Sequence, residues 1–162
     1  MYFGISNSYM IKNLKPNGKK TVLIGCLSEC EYGNSDIILP SSDGDIEFLK
    51  LNIKDNNIFD LNNAEILNDF VLEHDFDEVI TFCALGLSRS PAVMICVSKI
   101  LQSKEMEELV KKYYKFYNKY IVNSFEDFAY KTKNVDNTDL IFRDAYTNNT
   151  EEKKLVRTLG GI

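Results

Sequence analysis

The stretch from residue 61 to residue 101 most constrains the fold, because patterns of helix and strand alternate along it. Apolar residues recur at three- and four-residue spacing over 61–73, which predicts an amphipathic helix. The run EVITF at 78–82 predicts a strand, and PAVMICVSKIL at 91–101, apolar almost all round, predicts a buried helix. Strands that alternate with helices imply a mostly parallel sheet with helices on both faces.

Four further segments extend this pattern in both directions. TVLIGC at 21–26 and EFLKLNI at 47–53 are short β-branched or alternating runs that predict strands. Apolar residues at helical spacing over 106–117 and again over 125–129 predict two more helices. We therefore predict an α/β fold with a central, twisted, mostly parallel sheet flanked by helices.

The chain is long enough for one compact domain. Its 162 residues contain no stretch rich in proline, glycine and serine that would mark a linker, so we predict a single domain over 1–162. Residues 131–162 offer fewer apolar positions, and we expect a loosely packed C-terminal extension there. Within it, Asp136 to Asp144 predicts a short element and Thr150 to Thr158 a helix.

Charge and hydropathy exclude several classes of partner. The net charge is −5, and no basic stripe of the kind that neutralises a nucleic-acid backbone is present, so we expect no nucleic acid. The lysines of 111–119 fit the solvated face of a helix. No apolar run reaches about 18 residues, and the N-terminus lacks the pattern of a secretory signal. We expect a cytoplasmic monomer that does not bind membranes.

Cysteine and histidine usage restricts the chemistry. Four cysteines are too few for a disulfide scaffold, and a reducing compartment keeps them as thiols. Cys26 and Cys30 have no second pair, and His74 is the single histidine, so the sequence favours neither a zinc site nor a serine–histidine–aspartate triad. We expect no metal and no cofactor.

The segment VITFCALGLSRSPA at 79–92 carries the functional signal. Cys83 and Arg89 are five residues apart in a loop that contains Gly86, follows a predicted strand and precedes a predicted helix. Ser90 and Pro91 fit the N-cap and the first position of that helix. Such a loop turns backbone N–H groups and the positive end of a helix dipole toward a bound anion.

The residue types in this loop suit phosphoryl transfer. A cysteine at a helix N-terminus is favoured as thiolate, which can attack phosphorus without a separate base. A guanidinium holds two phosphoryl oxygens at once, and Arg89 is one of only 3 arginines against 16 lysines. Ser90 can donate a hydrogen bond to the departing thiolate. The alternative is a small buried cysteine and a surface arginine, which leaves Gly86 and the helix unexplained.

VITFCALGLSRSPAVMICVSKIL resembles the signature of the dual-specificity branch of the protein tyrosine phosphatase superfamily, particularly its small members from bacteria and phages. LKLNIKDNNIFDL resembles the segment that carries the general acid in that family. The resemblance implies Cys83 as nucleophile, Arg89 as oxygen clamp and Ser90 as partner of the leaving thiolate. It places the general acid at Asp55 or, as the second choice, Asp60, although either aspartate also fits a loop or a helix cap. It implies a phosphate cradle built from the backbone N–H groups of Ala84, Leu85, Gly86, Leu87, Ser88 and Arg89.

The implied activity is metal-independent hydrolysis of phosphotyrosine, and of phosphoserine or phosphothreonine, on a phosphorylated protein or a small phosphomonoester. Ala84, Leu85 and Leu87 supply no extra lysine, which disfavours a highly charged inositol phosphate. The family normally has histidine immediately before the nucleophile, whereas this chain has Phe82, which cannot donate a hydrogen bond. This departure raises an alternative function, a catalytically weak module that binds phosphopeptides.

Overall fold

The fold is a five-stranded parallel sheet covered on both faces. The computed structural model describes residues 1–40, 44–56, 59–135 and 140–142. In chain order the strands are Tyr2–Asn7 (β1), Thr21–Leu27 (β2), Ile46–Asn52 (β3), Glu78–Cys83 (β4) and Ile141–Phe142 (β5). The strands lie in the spatial order β3-β2-β4-β1-β5, and every neighbouring pair runs parallel. The predicted parallel α/β sheet is therefore confirmed.

Helices cover the two faces unequally. The helices are Glu29–Tyr32 (α1), Leu61–Glu73 (α2), Arg89–Ile100 (α3), Lys104–Tyr113 (α4) and Lys119–Asp127 (α5). The four longer helices, α2 to α5, pack their apolar residues on one face in the larger core cluster. The opposite face carries a smaller cluster covered by the 3-10 helix Ile11–Asn13 and by Tyr32 of α1. No helix in the described ranges is long and apolar enough to cross a bilayer.

Strand β1 is an element that the sequence patterns did not predict. It pairs with β4 along its whole length, from Tyr2 beside Glu78 to Asn7 beside Cys83. Phe3 and Ile5 enter the core and alternate with Gly4 and Ser6, but two alternating apolar residues are too short a run to identify a strand. The strand is stabilised by its neighbours on both sides, which is a tertiary effect.

Three helices differ from their predicted bounds. Helix α3 begins at Arg89 with Ser88 as N-cap, so Ser90 and Pro91 lie in the first turn rather than at its start. Proline is accepted there because the first four N–H groups of a helix have no partner within it. Helix α4 ends at Tyr113, before the predicted 117. Helix α5 begins at Lys119, before the predicted 125, with Asn118 as its N-cap.

The first part of the predicted C-terminal extension packs against the helices. The side chain of Asn68 pairs with both backbone groups of Lys131, at 2.8 and 2.9 Å, and Lys133 Nζ donates to the carbonyl of His74. Strand β5 extends the sheet beside β1 within the predicted 136–144 element. The predicted helix over 150–158 lies outside the described residues, and the domain boundaries stay predictions.

Candidate active site

The candidate site lies at the carboxyl edge of the sheet. Because all the strands are parallel, the segments that follow β1, β2, β3 and β4 meet at one edge, which is where open α/β sheets bind ligands. Ser8 follows β1, Glu31 follows β2, Asp55 follows β3, and the loop 83–89 follows β4. The structure thus brings Cys83, Arg89, Ser90 and Asp55 to the same edge of the sheet.

The sulfur of Cys83 lies under the loop at the start of α3. Cys83 is the last residue of β4 and is 2% exposed. The backbone N–H of Gly86 donates to Sγ at 3.2 Å, and Ser90 Oγ lies 3.2 Å from Sγ. Ser90 is itself held by Thr81, whose hydroxyl donates to its carbonyl. A serine hydroxyl and a backbone N–H are therefore in place to stabilise a thiolate at this position.

Gly86 permits the loop to pass close to β1. Its φ is +73°, the left-handed region that glycine adopts without strain. A Cβ at this position would lie 2.8 Å from the carbonyl oxygen of Ser6. The loop is also tied to the segment after β1, since Ser8 N–H donates to the Cys83 carbonyl and Ser8 Oγ to the Ala84 carbonyl.

The other backbone N–H groups of the loop are free to bind an anion. Within the described part of the chain, none of the N–H groups of residues 84, 85 and 87–89 donates a hydrogen bond to another group. Together with the N-terminus of α3, they form a concentration of donors around the sulfur. The phosphate cradle stays a prediction at these residues.

Arg89 has two donors left for a ligand. Its Nη1 donates to Glu31 Oε1 at 2.5 Å and to the Ile53 carbonyl at 2.9 Å, and its Nη2 donates to Glu31 Oε2 at 3.0 Å. Nε is buried and has no partner among the described residues. Of the five guanidinium hydrogens, those that remain are on Nε and Nη2. Both lie on one edge of the planar group, which is the fork that binds two oxygens of a phosphoryl group.

Electrostatics keeps the Arg89–Glu31 pair ionised. The hydrogen bonds from Arg89 lower the pKa of Glu31 from 4.5 to about 2. Burial lowers the pKa of Arg89, but the hydrogen bonds and negative charge of Glu31 outweigh burial and raise it overall. Both groups are therefore charged throughout the neutral range.

Glu31 is a site residue that the sequence patterns missed. It belongs to a capping box at the start of α1: Ser28 accepts from the Glu31 N–H, and Glu31 Oε1 accepts from the Ser28 N–H at 2.9 Å. The same carboxylate binds Arg89. The sequence SECE carries the serine–x–x–glutamate signature of this cap, but nothing local links it to an arginine 58 residues away.

Asp55 and Asp60 differ in their surroundings. Asp60 is the N-cap of α2 and accepts from the Asn63 N–H at 2.8 Å, which is a structural role. Asp55 Oδ1 accepts from Ser88 Oγ at 2.9 Å and from Asn118 Nδ2 at 3.3 Å. Of these two aspartates, Asp55 is thus the one that contacts the loop 83–89.

Asn118 connects three parts of the site and was also missed by sequence reasoning. Its backbone N–H donates to the Ser88 carbonyl at 3.0 Å, and its Nδ2 also donates to the Asn56 carbonyl at 3.0 Å. Its Oδ1 caps α5. Only the cap could be read from the sequence, because asparagine before a helical pattern is a common start signal.

Phe82 lies on the opposite face of the sheet from Cys83. Adjacent residues of a strand point to opposite faces, so Phe82 enters the smaller core cluster and packs on Phe48, with ring centroids 6.0 Å apart. A Cβ on Gly25 would lie 3.0 Å from its ring. The residue immediately before Cys83 is therefore an apolar core residue in this chain.

A cavity of about 450 Å³ adjoins the Arg89 side of the loop. Glu31, Asp55 and Arg89 line it, together with Lys54 and the exposed Cys30. The rim of the loop itself is apolar, because Leu85 and Leu87 are 74% and 53% exposed. A phosphoester bound at Cys83 would therefore meet a polar wall on one side and an apolar rim above the loop.

Comparisons with known proteins give partial structural matches at low sequence identity. No model of a known protein family matches the chain, and no curated protein matches it. Among solved structures, the human tyrosine phosphatase-like serine/threonine/tyrosine-interacting protein is 17% identical, with a TM-score of 0.47 over 67% of this chain and 76% of that chain. PTPMT1, in a complex with PI(5)P, is also 17% identical at a TM-score of 0.47, over 65% of this chain and 74% of that chain. Membership of the dual-specificity branch, including the bacterial or phage type, stays a prediction from the sequence.

Proposed function

We propose that this protein is a cysteine-dependent phosphatase that hydrolyses phosphomonoesters, with phosphotyrosine as the main substrate and phosphoserine or phosphothreonine as further ones. The observation that carries the proposal is the convergence on one loop of a buried sulfur, free backbone N–H groups and the unoccupied Nε–Nη2 edge of Arg89. These are the groups that a phosphoryl transfer to sulfur requires.

In the first step, the Cys83 thiolate attacks phosphorus, an S–P bond forms and the P–O bond to the leaving group breaks. Arg89 and the loop N–H groups bind the three non-bridging oxygens, where negative charge accumulates. Asp55 donates a proton to the departing oxygen, so the leaving group departs as a neutral phenol or alcohol. The product is a cysteinyl phosphate.

In the second step, water attacks the cysteinyl phosphate and Asp55 accepts the proton from that water. The S–P bond breaks, inorganic phosphate leaves, and the electron pair returns to Cys83 as thiolate. Ser90 Oγ, 3.2 Å from Sγ, donates a hydrogen bond to the sulfur as its charge returns. The enzyme is then restored without a metal ion.

The test is hydrolysis of p-nitrophenyl phosphate and of a phosphotyrosine peptide, with orthovanadate as inhibitor. We expect Cys83→Ser to abolish turnover while it still binds phosphopeptide. Asp55→Asn should lower kcat by about 100- to 10,000-fold for the peptide, which has the poorer leaving group, and by less for p-nitrophenyl phosphate. Arg89→Lys keeps the charge but loses the two-pronged contact, and should weaken vanadate inhibition.

Asp45→Asn is a matched control, because this aspartate lies before β3 at the opposite edge of the sheet and loses the same charge. It should match the wild type in every assay. If the wild type shows no turnover that vanadate inhibits, or if Cys83→Ser retains it, the proposal is wrong.

A second candidate function is a phosphopeptide-binding module with little turnover. The observation that favours it is Phe82, which is buried in an apolar cluster and offers no hydrogen bond to the loop. This function predicts that wild type and Cys83→Ser bind a phosphotyrosine peptide equally, with no phosphate released by either. If the wild type releases phosphate and Cys83→Ser does not, the protein is the proposed phosphatase and not the binding module.

A further inference from the structure

Exposed lysines and aromatic rings form a surface next to the candidate site. The segment 111–120, KKYYKFYNKY, has four lysines and no acidic residue in a chain of net charge −5. Phe116 is 82% exposed, Tyr120 53% and Tyr113 47%. We call the exposed side chains of this segment the lysine–aromatic surface, and they are Lys112, Tyr113, Lys115, Phe116, Lys119 and Tyr120.

This surface adjoins the phosphate loop through Asn118. That residue contacts the Ser88 carbonyl and the Asp55 carboxylate, and it separates Phe116 from Lys119 in the chain. Consecutive Cα atoms are about 3.8 Å apart, so both neighbours lie within two residues of the site. The exposed Leu87 precedes Ser88 on the loop side. A chain bound at the loop would therefore reach the surface with the residues beside its phosphorylated side chain.

The charges of this surface are available to a partner. Lys111 is paired with Glu107 at 2.6 Å, but Lys115 and Lys119 have no acidic partner within the described ranges. The acidic residues that give the chain its negative charge lie elsewhere in the sequence. At physiological salt, charges act over about 8 Å, so these lysines attract anionic groups close to the phosphate loop and little beyond it.

We propose that the lysine–aromatic surface binds the residues that flank the phosphorylated residue of a protein substrate, and that it selects acidic flanks with an interspersed apolar side chain. Lysines at 115 and 119 pair with flanking carboxylates, while Phe116 and Tyr120 cover an apolar neighbour. The proposal rests on the proposed function, because it assumes that the phosphate binds at Cys83. It names the substrate class of that site more narrowly.

The experiment measures binding rather than turnover, so that failure of catalysis and failure of this proposal are separable. Cys83→Ser is titrated with three fluorescent phosphotyrosine peptides of equal length. Their flanks contain glutamate and leucine, alanine only, or lysine and leucine. Each lysine–carboxylate pair on a surface contributes about 1.4- to 5-fold in affinity, so the acidic peptide should bind about 2- to 25-fold more tightly than the alanine peptide. That ratio should fall as sodium chloride is raised.

Charge reversal on the surface should invert the selection. In a background of Cys83→Ser, the double variant Lys115→Glu/Lys119→Glu should bind the lysine peptide in preference to the acidic one. Phe116→Ala should lose affinity for both leucine-containing peptides and leave the alanine peptide unchanged. The matched control is Lys20→Glu/Lys104→Glu, which makes the same charge change at exposed lysines before β2 and at the start of α4. It should keep the wild-type ratio.

Several outcomes would overturn the proposal. One is equal affinity of Cys83→Ser, with Lys115 and Lys119 unchanged, for the acidic and alanine peptides. Another is a preference that survives Lys115→Glu/Lys119→Glu. Sedimentation with vesicles of phosphatidylcholine and phosphatidylserine tests the other anionic partner. Binding to these vesicles that the double variant abolishes, without any selection among the peptides, would assign the surface to a membrane.

Discussion

The Arg89–Glu31 pair gives the sharpest prediction about stability. Glu31→Gln removes the negative charge but keeps an oxygen that can accept from Arg89 or from the Ser28 N–H, because glutamine also serves in a capping box. Any loss of stability in Glu31→Gln therefore measures the contribution of the negative charge of Glu31. The control is Glu29→Gln, which removes the same charge from the same helix, where Glu29 uses its backbone N–H to contact Asn52.

The magnitude follows from the pKa of Glu31. A fall from 4.5 to about 2 corresponds to about 3 kcal/mol of preference for the charged form. The Glu31 side chain is 30% exposed, while that of Arg89 is 6% exposed, so solvent screening reduces this contribution. We expect Glu31→Gln to lower the free energy of unfolding by about 1–2 kcal/mol at pH 7.

The assay is urea unfolding followed by circular dichroism at a series of pH values. Because the folded-state pKa of Glu31 is depressed, its contribution is fully present above the unfolded value near 4.5 and is lost as pH falls toward about 2. The difference between wild type and Glu31→Gln should therefore be constant from pH 7 to about 5 and shrink below it. A difference that equals that of Glu29→Gln, or that does not change with pH, would refute the reasoning.

Three further predictions concern the loop and its surroundings. Gly86→Ala should weaken orthovanadate binding and cost more stability than Gly18→Ala. Left-handed strain costs about 1–2 kcal/mol at either position. A Cβ at residue 86 would also meet the Ser6 carbonyl, whereas a Cβ at residue 18 has open space. Asn118→Ser keeps the cap of α5 but loses the contact with Asp55. It should therefore lower kcat for a phosphotyrosine peptide with little change in the urea midpoint. An equal fall in kcat for p-nitrophenyl phosphate would argue against a role of Asn118 in positioning Asp55. Iodoacetamide should label the exposed Cys30 in the folded protein, whereas Cys26 and Cys96 should react slowly because both are buried and burial raises the pKa of each thiol. If mass spectrometry finds Cys26 and Cys96 labelled as fast as Cys30, the result contradicts the structure.

The sequence determined the α/β class and the position of the loop. Regular apolar spacing over 61–73 and the buried runs on either side of the loop fixed a helix–strand–loop–helix order, because such patterns depend on burial along one local segment. The contact between Cys83 and Ser90 could also be predicted from the sequence, because the two residues are only seven positions apart and the same loop connects them. These features involve neighbours in the chain.

Tertiary structure decided which distant groups complete the site. Glu31 reaches Arg89 across 58 residues and Asn118 reaches Asp55 across 63, and each looks like a simple helix cap in the sequence. Strand β1 likewise depends on tertiary structure, because it is hydrogen-bonded to β4 on one side and to β5 on the other. A local pattern reports which residues are buried, but parallel strands bring their carboxyl ends together whatever their separation in the chain. In that assembly Asp55 contacts the loop, Asp60 does not, and Phe82 is buried in the core.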